Sequence, residues 1–167
     1  MCFDTDLLRW AAGWTGDYIT EDGVSFKGNH GASPRIAGEQ KFGTSPIAGW
    51  ADAKGSFADS RPEPFGPLPR KHVQWLGNYV ANDQVVLSYR GHGVSILEQP
   101  GSIEKDGQTI FMRSIKYEDI SADLVTLVCE VENAKGGMED GVAILVAGDQ
   151  VTQVALMNAP MGSVLEV

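Results

Sequence analysis

The chain has 167 residues, a size at which one domain can bury a sizeable core without disulfides or bound metal. Apolar residues make up 43% of it and charged residues 21%, proportions that are typical of globular proteins and unlike those of disordered ones. The formal net charge of −9, with 13 basic residues dispersed among 22 acidic ones, disfavours nucleic acid and anionic membrane surfaces as partners, and no apolar run is long enough to span a bilayer.

The first residues resemble a β-strand rather than an export signal. The opening "MCFDTDLLRW" carries Asp4 and Asp6 where a signal peptide carries positive charge, and no long apolar run follows. The stretch "FDTDLLRWAAGW" is strand-like, and so is the closing "GSVLEV", which has no polar tail. Strands that end so abruptly leave unpaired edges, so we interpret residues 1–167 as a single β-rich domain, or part of one, within a larger protein.

Between about residues 20 and 72, regular structure is predicted to be sparse, because Gly, Pro, Ser, Asp and Asn recur every few positions. The same stretch contains large aromatic residues, namely Phe26, Phe42, Trp50, Phe57 and Phe65. A flexible linker has no use for such side chains, whereas an ordered loop needs them to offset the entropy lost on ordering. We therefore predict a long, ordered Gly/Pro-rich loop.

The last part of this loop, "RPEPFGPLPR" at 61–70, contains four of the chain's eight prolines. Prolines favour extended geometry, which suits either a linker or a rigid surface loop. Phe65 at the centre and Arg61 and Arg70 at the ends favour the rigid loop, pinned by the aromatic ring and able to form ion pairs or to hold an anion. We predict that it leads directly into a strand beginning at Val73.

The second half of the chain is predicted to form short antiparallel strands, because runs of β-branched and aromatic residues alternate with turn formers. These runs are 73–81, 84–90, 94–99, 109–117 and 123–132. Residues 142–157 are predicted to form one more hairpin, with Gly148 and Asp149 at its turn. No window shows a capped helical period. The predicted fold class is all-β, an antiparallel meander that is either β-propeller-like or sandwich-like.

The sequence contains no recognisable metal, haem or catalytic motif. His30, His72 and His92 show none of the spacings that zinc sites use. The C-x-x-C-H motif that attaches haem and the nucleophile elbow of hydrolases are both absent. Cys2 and Cys129 match no redox spacing, so buried thiols are the favoured interpretation and a disulfide is the alternative. We assign no catalytic residue, no metal ligand and no cofactor to the chain.

Five residues are candidate contacts for a small-molecule or carbohydrate ligand: His30, Arg35, Trp50, Arg61 and Arg70. His30 and Arg35 lie close together in the long loop, and Trp50 is expected either to line a pocket or to pin its own loop. Trp10 and Trp75 lie in strand-like runs and are predicted to be core residues instead.

Four stretches, taken in chain order, resemble a bacterial domain of unknown function: "FDTDLLRWAAGWTG", "GNHGASPRIAGEQKFGTSPIAGWAD", "FADSRPEPFGPLPR" and "GNYVANDQVVLSYRGHGVSILEQPG". That domain occurs in large multidomain proteins, typical of planctomycetes and their relatives, which often also carry c-type cytochrome domains. The resemblance implies a periplasmic or extracellular location, a signal peptide upstream, and haem in other domains of the parent chain. It transfers no catalytic or haem-ligand residue.

The leading hypothesis is a non-catalytic β-rich module that serves as a scaffold or ligand-binding unit of a large exported, cytochrome-associated protein, with the other domains of that protein as partners. One alternative is a segment of a β-propeller oxidoreductase acting on sugars or alcohols, because residues 73–131 contain enough meandering strands for one blade. A propeller repeats its blades along the chain, but the sequence contains no second copy of "DQVVLSYRGHGVSILE", which weakens this alternative. The other alternative is carbohydrate binding through the long loop.

Overall fold

The computed structural model describes residues 1–20, 34–63, 65–118, 120 and 123–167. In this part of the chain all regular structure is β, with no helix, so the predicted fold class is confirmed. The strands are β1 (Cys2–Asp4), β2 (Arg9–Thr15), β3 (Ile19–Thr20), β4 (Arg35–Ile36), β5 (Glu39–Gly43), β6 (Val73–Ala81), β7 (Gln84–Gly91), β8 (Val94–Lys105), β9 (Gln108–Glu118), β10 (Lys135–Glu139), β11 (Val142–Ala147) and β12 (Gln150–Ala155). Among these residues no helix could cross a membrane.

The chain divides into two compact units, Met1–Cys129 and Glu130–Val167. The first unit contains a three-stranded sheet in the order β1-β2-β5, the pair β3-β4, and a four-stranded sheet in the order β6-β7-β8-β9. The second unit contains the sheet β10-β11-β12. All strand pairs are antiparallel. The assignment of 1–167 to one domain stays a prediction.

The four-stranded sheet is the meander that the sequence predicts, with each strand paired to the next along the chain. Its turns contain residues that adopt positive φ at low cost, and these are Asn82, Asp83, His92, Gly93, Asp106 and Gly107. The predicted runs at 73–81, 84–90 and 109–117 match β6, β7 and β9 closely. β8 continues past the predicted end at residue 99 to Lys105, through Pro100 and Gly101.

Two predicted strands are wrong, and four strands of the described residues are missed. These are β3, β4, β5 and β10, of which β4 and β5 lie in the stretch that was predicted to be a long loop. Among the described residues the run 123–132 has no strand and forms one bridge, between Thr126 and Trp50, where its backbone bonds to Gly49 and Ala51. The closing "GSVLEV" has no strand. β10 has the sequence "KGGME", in which two glycines remove the β-propensity signal. The hairpin of β11 and β12, with its turn at Gly148 and Asp149, is confirmed.

The core of the first unit lies among the strands of its two larger sheets and the loop between them. Its fully buried members are Leu7, Leu8, Trp10, Ala48, Trp50, Leu68, Val73, Leu87, Tyr89, Val94 and Ile96. Trp75 packs against this cluster, so the prediction that Trp10 and Trp75 are core residues is confirmed. Cys2 is exposed and Cys129 is half-buried, so the expectation of a buried thiol is wrong for Cys2, which lies on the edge strand β1.

The stretch 61–70 is anchored by a different residue from the one predicted. Phe65 is 72% exposed, so the expectation that its ring pins the loop is wrong. Leu68 is 3% exposed and lies in the core, and its backbone N–H donates to the carbonyl of Asp6 at 3.0 Å. A branched aliphatic side chain between two prolines fills the core there, and the bulkier ring remains in solvent. Residues 21–33, which include Phe26 and His30, lie outside the described residues.

Candidate functional site

A buried carboxylate joins the two larger sheets of the first unit. Glu98 on β8 has no solvent exposure and accepts hydrogen bonds from three side chains. Trp10 Nε1 on β2 donates to its Oε1 at 2.6 Å, the Tyr89 hydroxyl donates to Oε2, and Arg113 Nε on β9 donates to Oε1. We call Trp10, Tyr89, Glu98 and Arg113 the Glu98 cluster.

The electrostatics of the Glu98 cluster follow from burial and from the neighbouring charges. Burial and the Glu98 carboxylate raise the pKa of Tyr89 above its ordinary range. Burial by itself lowers the pKa of Arg113, but the adjacent Glu98 carboxylate outweighs it and holds that pKa above its usual value. Burial likewise raises the pKa of Tyr117. Arg113 therefore remains a guanidinium cation, and Tyr89 and Tyr117 remain neutral phenols.

The Glu98 cluster fixes the relative positions of four strands, β2, β7, β8 and β9, and of one loop. Arg113 also donates from Nη1 to the carbonyl of Leu127 at 3.3 Å, which ties β9 to the segment that pairs with Trp50. A buried ion pair whose hydrogen-bonding groups are satisfied fixes the geometry around it more than it adds net stability, because the cost of desolvation offsets much of the attraction between the charges. The Glu98 cluster therefore holds the neighbouring strands and side chains in fixed positions.

An open groove of about 460 Å³ lies beside the Glu98 cluster, in the size range of small-molecule sites. One wall is β2 with the turn that follows it, and the other is the outer part of the β8–β9 hairpin. The side chains that give the groove its character are Trp10, Trp14, Ser102, Glu104, Thr109 and Phe111. Trp10 belongs both to the groove wall and to the Glu98 cluster.

Two aromatic side chains of the groove are held in fixed orientations. Trp14 Nε1 donates to the carbonyl of Asp17 at 3.2 Å, and its ring stacks on Tyr18 with 6.3 Å between centroids. On the facing wall, Phe111 meets Phe42 of β5 edge to face, with centroids 5.2 Å apart. Oriented aromatic rings of this kind offer flat apolar faces to a ligand at little further cost in conformational entropy.

Polar side chains also line the groove, beside the apolar residues Met1 and Pro100. The Thr109 hydroxyl donates to the Glu104 carboxylate across the β8–β9 pair, and Ser102 lies on the same wall. Hydroxyl and carboxylate oxygens beside aromatic faces suit a neutral ligand that is rich in hydroxyl groups. An anionic ligand is disfavoured, because Glu104 is a lining residue and no lysine or arginine is among them.

Arg61, one of the five ligand contacts proposed from the sequence, uses its guanidinium within its own loop. Its Nε and Nη2 donate to the Asp59 carboxylate, at 2.9 Å and 2.7 Å, and its Nη1 donates to the carbonyl of Gly66 at 2.7 Å. The Arg61 side chain holds the pKa of Asp59 below its usual range. These contacts give the ordered loop one of the fixed ion pairs that the sequence suggested.

The other four proposed contacts lie in different surroundings. Trp50 is 2% exposed and packs against Tyr89 and Tyr117, so it pins its loop within the core. Arg35 is exposed on β4, and Arg70 is exposed in the turn before β6. His30 lies outside the described residues. None of the described members is in the groove lining, and a ligand role for the five stays a prediction.

A histidine pair lies at the end of β7 and the start of β6. The His72 and His92 rings are 5.9 Å apart, and the backbone N–H of His92 donates to the carbonyl of His72 at 2.6 Å. His92 Nε2 is buried and has no hydrogen-bond partner in the described structure. Burial, followed by the neighbouring His72, lowers the pKa of His92, which Asp52 partly counteracts. Across the described ranges no three His, Cys, Asp or Glu side chains form a metal-binding group.

The Glu98 cluster was not predicted from the sequence, although the alternation of β8 and β9 contains a signal for it. In "VSILE", Glu98 has the same alternation as Val94 and Ile96, which places a carboxylate on the buried face of β8. Arg113 likewise alternates with Ile115 and Tyr117 on β9. The groove had no such signal, because Trp14 and Phe111 are far apart in sequence and line one groove only through the packing of two sheets.

The fold and the groove define an all-β module with a small-molecule-sized groove on its surface. Residues 1–98 match the family described as a domain of unknown function, DUF6797, and since this is more than half of the chain, the protein belongs to that family. The match ends at Glu98, in the middle of β8. Comparisons with curated proteins and with solved structures found no match.

Proposed function

We propose that this chain is a non-catalytic ligand-binding module of a larger exported protein that also carries c-type cytochrome domains. Membership of the DUF6797 family supports the module, and the resemblance of four stretches to a domain found in such parent proteins supports the setting. The observation that carries the binding role is the groove between β2 and the β8–β9 hairpin. In this proposal haem is bound by other domains of the parent chain. Residues 1–167 either present a bound ligand to those domains or anchor the parent protein to the ligand.

The groove suits binding because its walls are already rigid. Trp10 links the wall to the Glu98 cluster, the Trp14 indole is held by Asp17, and Phe111 is held by Phe42. A site whose side chains are ordered before binding loses little entropy when a ligand arrives. The fixed orientation of these side chains favours ligand binding over a purely structural role for the aromatic residues of the groove.

Carbohydrate is the ligand class that the groove favours. Sugar rings present apolar C–H faces and hydroxyl groups together, and the groove pairs aromatic faces with Ser102, Glu104 and Thr109. The carbohydrate hypothesis formed from the sequence relied on Trp50 and Arg35. Because Trp50 is buried, the proposal transfers that role to Trp14 and Phe111.

The ligand test is titration calorimetry of residues 1–167 against soluble oligosaccharides of glucose, xylose and mannose. Binding by at least one of them is expected, and Trp14→Ala is expected to weaken it about tenfold or more, as the loss of a stacking face predicts. Tyr79→Ala is the matched control, since Tyr79 is an exposed aromatic residue outside the groove lining. Equal weakening by both variants, or an inert panel, would count against a carbohydrate site in the groove.

The proposed setting has a separate test in the genomic reading frame on either side of the segment. An encoded signal peptide upstream and C-x-x-C-H motifs in the same frame are the expected findings. A frame that encodes neither would remove the exported, cytochrome-associated setting while leaving the groove proposal standing.

A β-propeller oxidoreductase segment is the rival, and one observation favours it. Strands β6 to β9 form a four-stranded up-and-down sheet, which is the unit of a propeller blade. Turnover of sugars or alcohols by residues 1–167 with added quinone or flavin would support this rival, and no turnover above the protein-free rate is expected under our proposal.

A further inference from the structure

The second unit has a partly exposed sheet face that is mostly apolar in β11 and β12, and to which β10 adds Lys135 beside Val146 and Glu139 beside Val142. In β11 and β12 the cross-strand partners Val142 and Ala155, Ile144 and Gln153, and Val146 and Val151 alternate with the residues of the opposite face. Val146 is 39% exposed and Val151 is 57% exposed, although they are directly paired. The opposite face contains Ala143, which is the one residue of this unit that is fully buried.

The edge of this sheet at β12 lacks the usual protection against strand addition. Edge strands in stable proteins are commonly shielded by lysine, proline or a β-bulge. β12 has the sequence "QVTQVA", which contains no proline and no charge, and its register with β11 is regular throughout. In the part of the chain that the structure describes, β11 is the only strand that pairs with β12. The outer side of β12 can therefore accept another strand.

The charge of this unit indicates what kind of strand would fit. Residues 130–167 contain six acidic side chains and one basic side chain, Lys135, so their formal charge is −5. Asp149 is in the turn before β12, and Glu139 and Asp140 lie at the other end of the sheet. A second copy of the chain would bring the same negative charge to this surface, which opposes pairing. A segment with basic side chains meets it favourably.

We propose that the β10–β12 sheet binds an extended segment of a partner polypeptide, which adds as a strand beside β12 and alternates apolar with basic side chains. Strand addition supplies backbone hydrogen bonds, and the face around Val146 and Val151 supplies apolar contact. The acidic residues at the sheet ends then select lysine or arginine over acidic side chains. This binding role is independent of the groove in the first unit.

The test is fluorescence anisotropy of residues 1–167 with labelled synthetic peptides at low ionic strength. A peptide in which valine and lysine alternate is expected to bind, and the binding should weaken as salt is added. A peptide in which glutamate replaces lysine is expected not to bind. A valine–lysine peptide methylated on every backbone nitrogen should also fail, because neither of its edges can donate hydrogen bonds to β12.

Two variants of the chain locate the surface. Val151→Lys removes apolar contact and adds a repelling charge on the exposed face, and a loss of about tenfold or more in affinity is expected. Gln150→Lys adds the same charge at the neighbouring position on the opposite face without removing apolar contact, so it should weaken binding less than Val151→Lys does. Circular dichroism of both variants establishes that the strands are retained.

Several results would overturn the proposal. These are comparable binding of the glutamate peptide, unchanged binding of the methylated peptide, and equal effects of Val151→Lys and Gln150→Lys. A concentration-dependent dimer that Val151→Lys abolishes, seen by analytical ultracentrifugation, would identify a second copy as the occupant and overturn it as well.

Discussion

Glu98 lies at a position of β8 where the sheet buries its side chains. Its neighbours in the alternation, Val94 and Ile96, are apolar, and the carboxylate is accommodated because Arg113, Tyr89 and Trp10 all donate to it. Leaving a buried charge without its partner costs far more than the intact pair contributes. At the residue scale, the stability of the first unit therefore depends on keeping both members of the pair or neither.

Arg113→Met is expected to destabilise the chain by about 3–5 kcal/mol, because it leaves the buried Glu98 carboxylate uncompensated. The double variant Glu98→Gln with Arg113→Met should be less destabilised than Arg113→Met by itself, since no buried charge remains. Urea unfolding followed by tryptophan fluorescence measures both. If the destabilising effects of Glu98→Gln and Arg113→Met simply add in the double variant, the ion pair is not the source of the destabilisation.

His92, also at the residue scale, makes the unfolding free energy depend on pH. Its pKa in the folded chain lies below its ordinary value of 6.5, so the unfolded chain binds a proton more readily than the folded chain does. The stability that the neutral imidazole contributes is fully present above pH 6.5 and is lost as the pH falls through the lower folded value.

His92→Asn tests this pH dependence, because asparagine tolerates the positive φ of 49° at that turn. The difference in unfolding free energy between wild type and variant is expected to be constant above pH 6.5 and to move against the wild type as the pH falls below it. Urea titrations at a series of pH values measure it. A difference that stays constant down to the folded pKa would show that His92 is not responsible.

At the element scale, β2 and β5 are held together by an aromatic ring over a glycine. Gly13 and Phe42 are cross-strand partners, and a Cβ atom at position 13 would lie 1.9 Å from a ring carbon of Phe42. The glycine thus creates the space that the ring fills. Phe42 in turn contacts Phe111, so this packing orients one wall of the groove.

Gly13→Ala is expected to destabilise the chain by roughly 1–3 kcal/mol, because the Phe42 ring must move out of the way. In a Phe42→Ala background the same substitution should cost much less. A double-mutant cycle from thermal or urea unfolding measures the coupling. If Gly13→Ala lowers the unfolding free energy equally in both backgrounds, the strain does not come from the Phe42 ring and lies elsewhere in β2.

At the scale of the whole molecule, the folding unit extends beyond the part that matches DUF6797. The match ends at Glu98, but Arg113, Ile115 and Tyr117 of β9 complete the core and the Glu98 cluster. The segment around Thr126 then pairs with Trp50. The first compact unit accordingly ends at Cys129 rather than at the end of the match.

Residues 1–129 are therefore expected to unfold cooperatively, and residues 1–98 are not, because the shorter chain leaves Glu98 without Arg113 and uncovers the core side chains that Ile115 and Tyr117 pack against. Near-ultraviolet circular dichroism and thermal melts of the two truncated chains measure this. A cooperative melt of residues 1–98 would show that β9 is dispensable.

The sequence by itself determined the local elements of this protein. Period-two alternation and turn residues predicted β6, β7, β9 and the β11–β12 hairpin, because those signals depend only on neighbours along the chain. The same local signals predicted a strand at 123–132, where the described structure has one bridge, between Thr126 and Trp50, and no strand.

Only the tertiary structure decided the site. It buried Trp50 in the core, used Arg61 within its own loop, and left Phe65 in solvent. It also brought Trp14 of β2 beside Phe111 of β9, which no local pattern links. The physical reason is that alternation fixes which face of a strand a residue occupies, whereas the partner of that face is fixed only when the sheets pack.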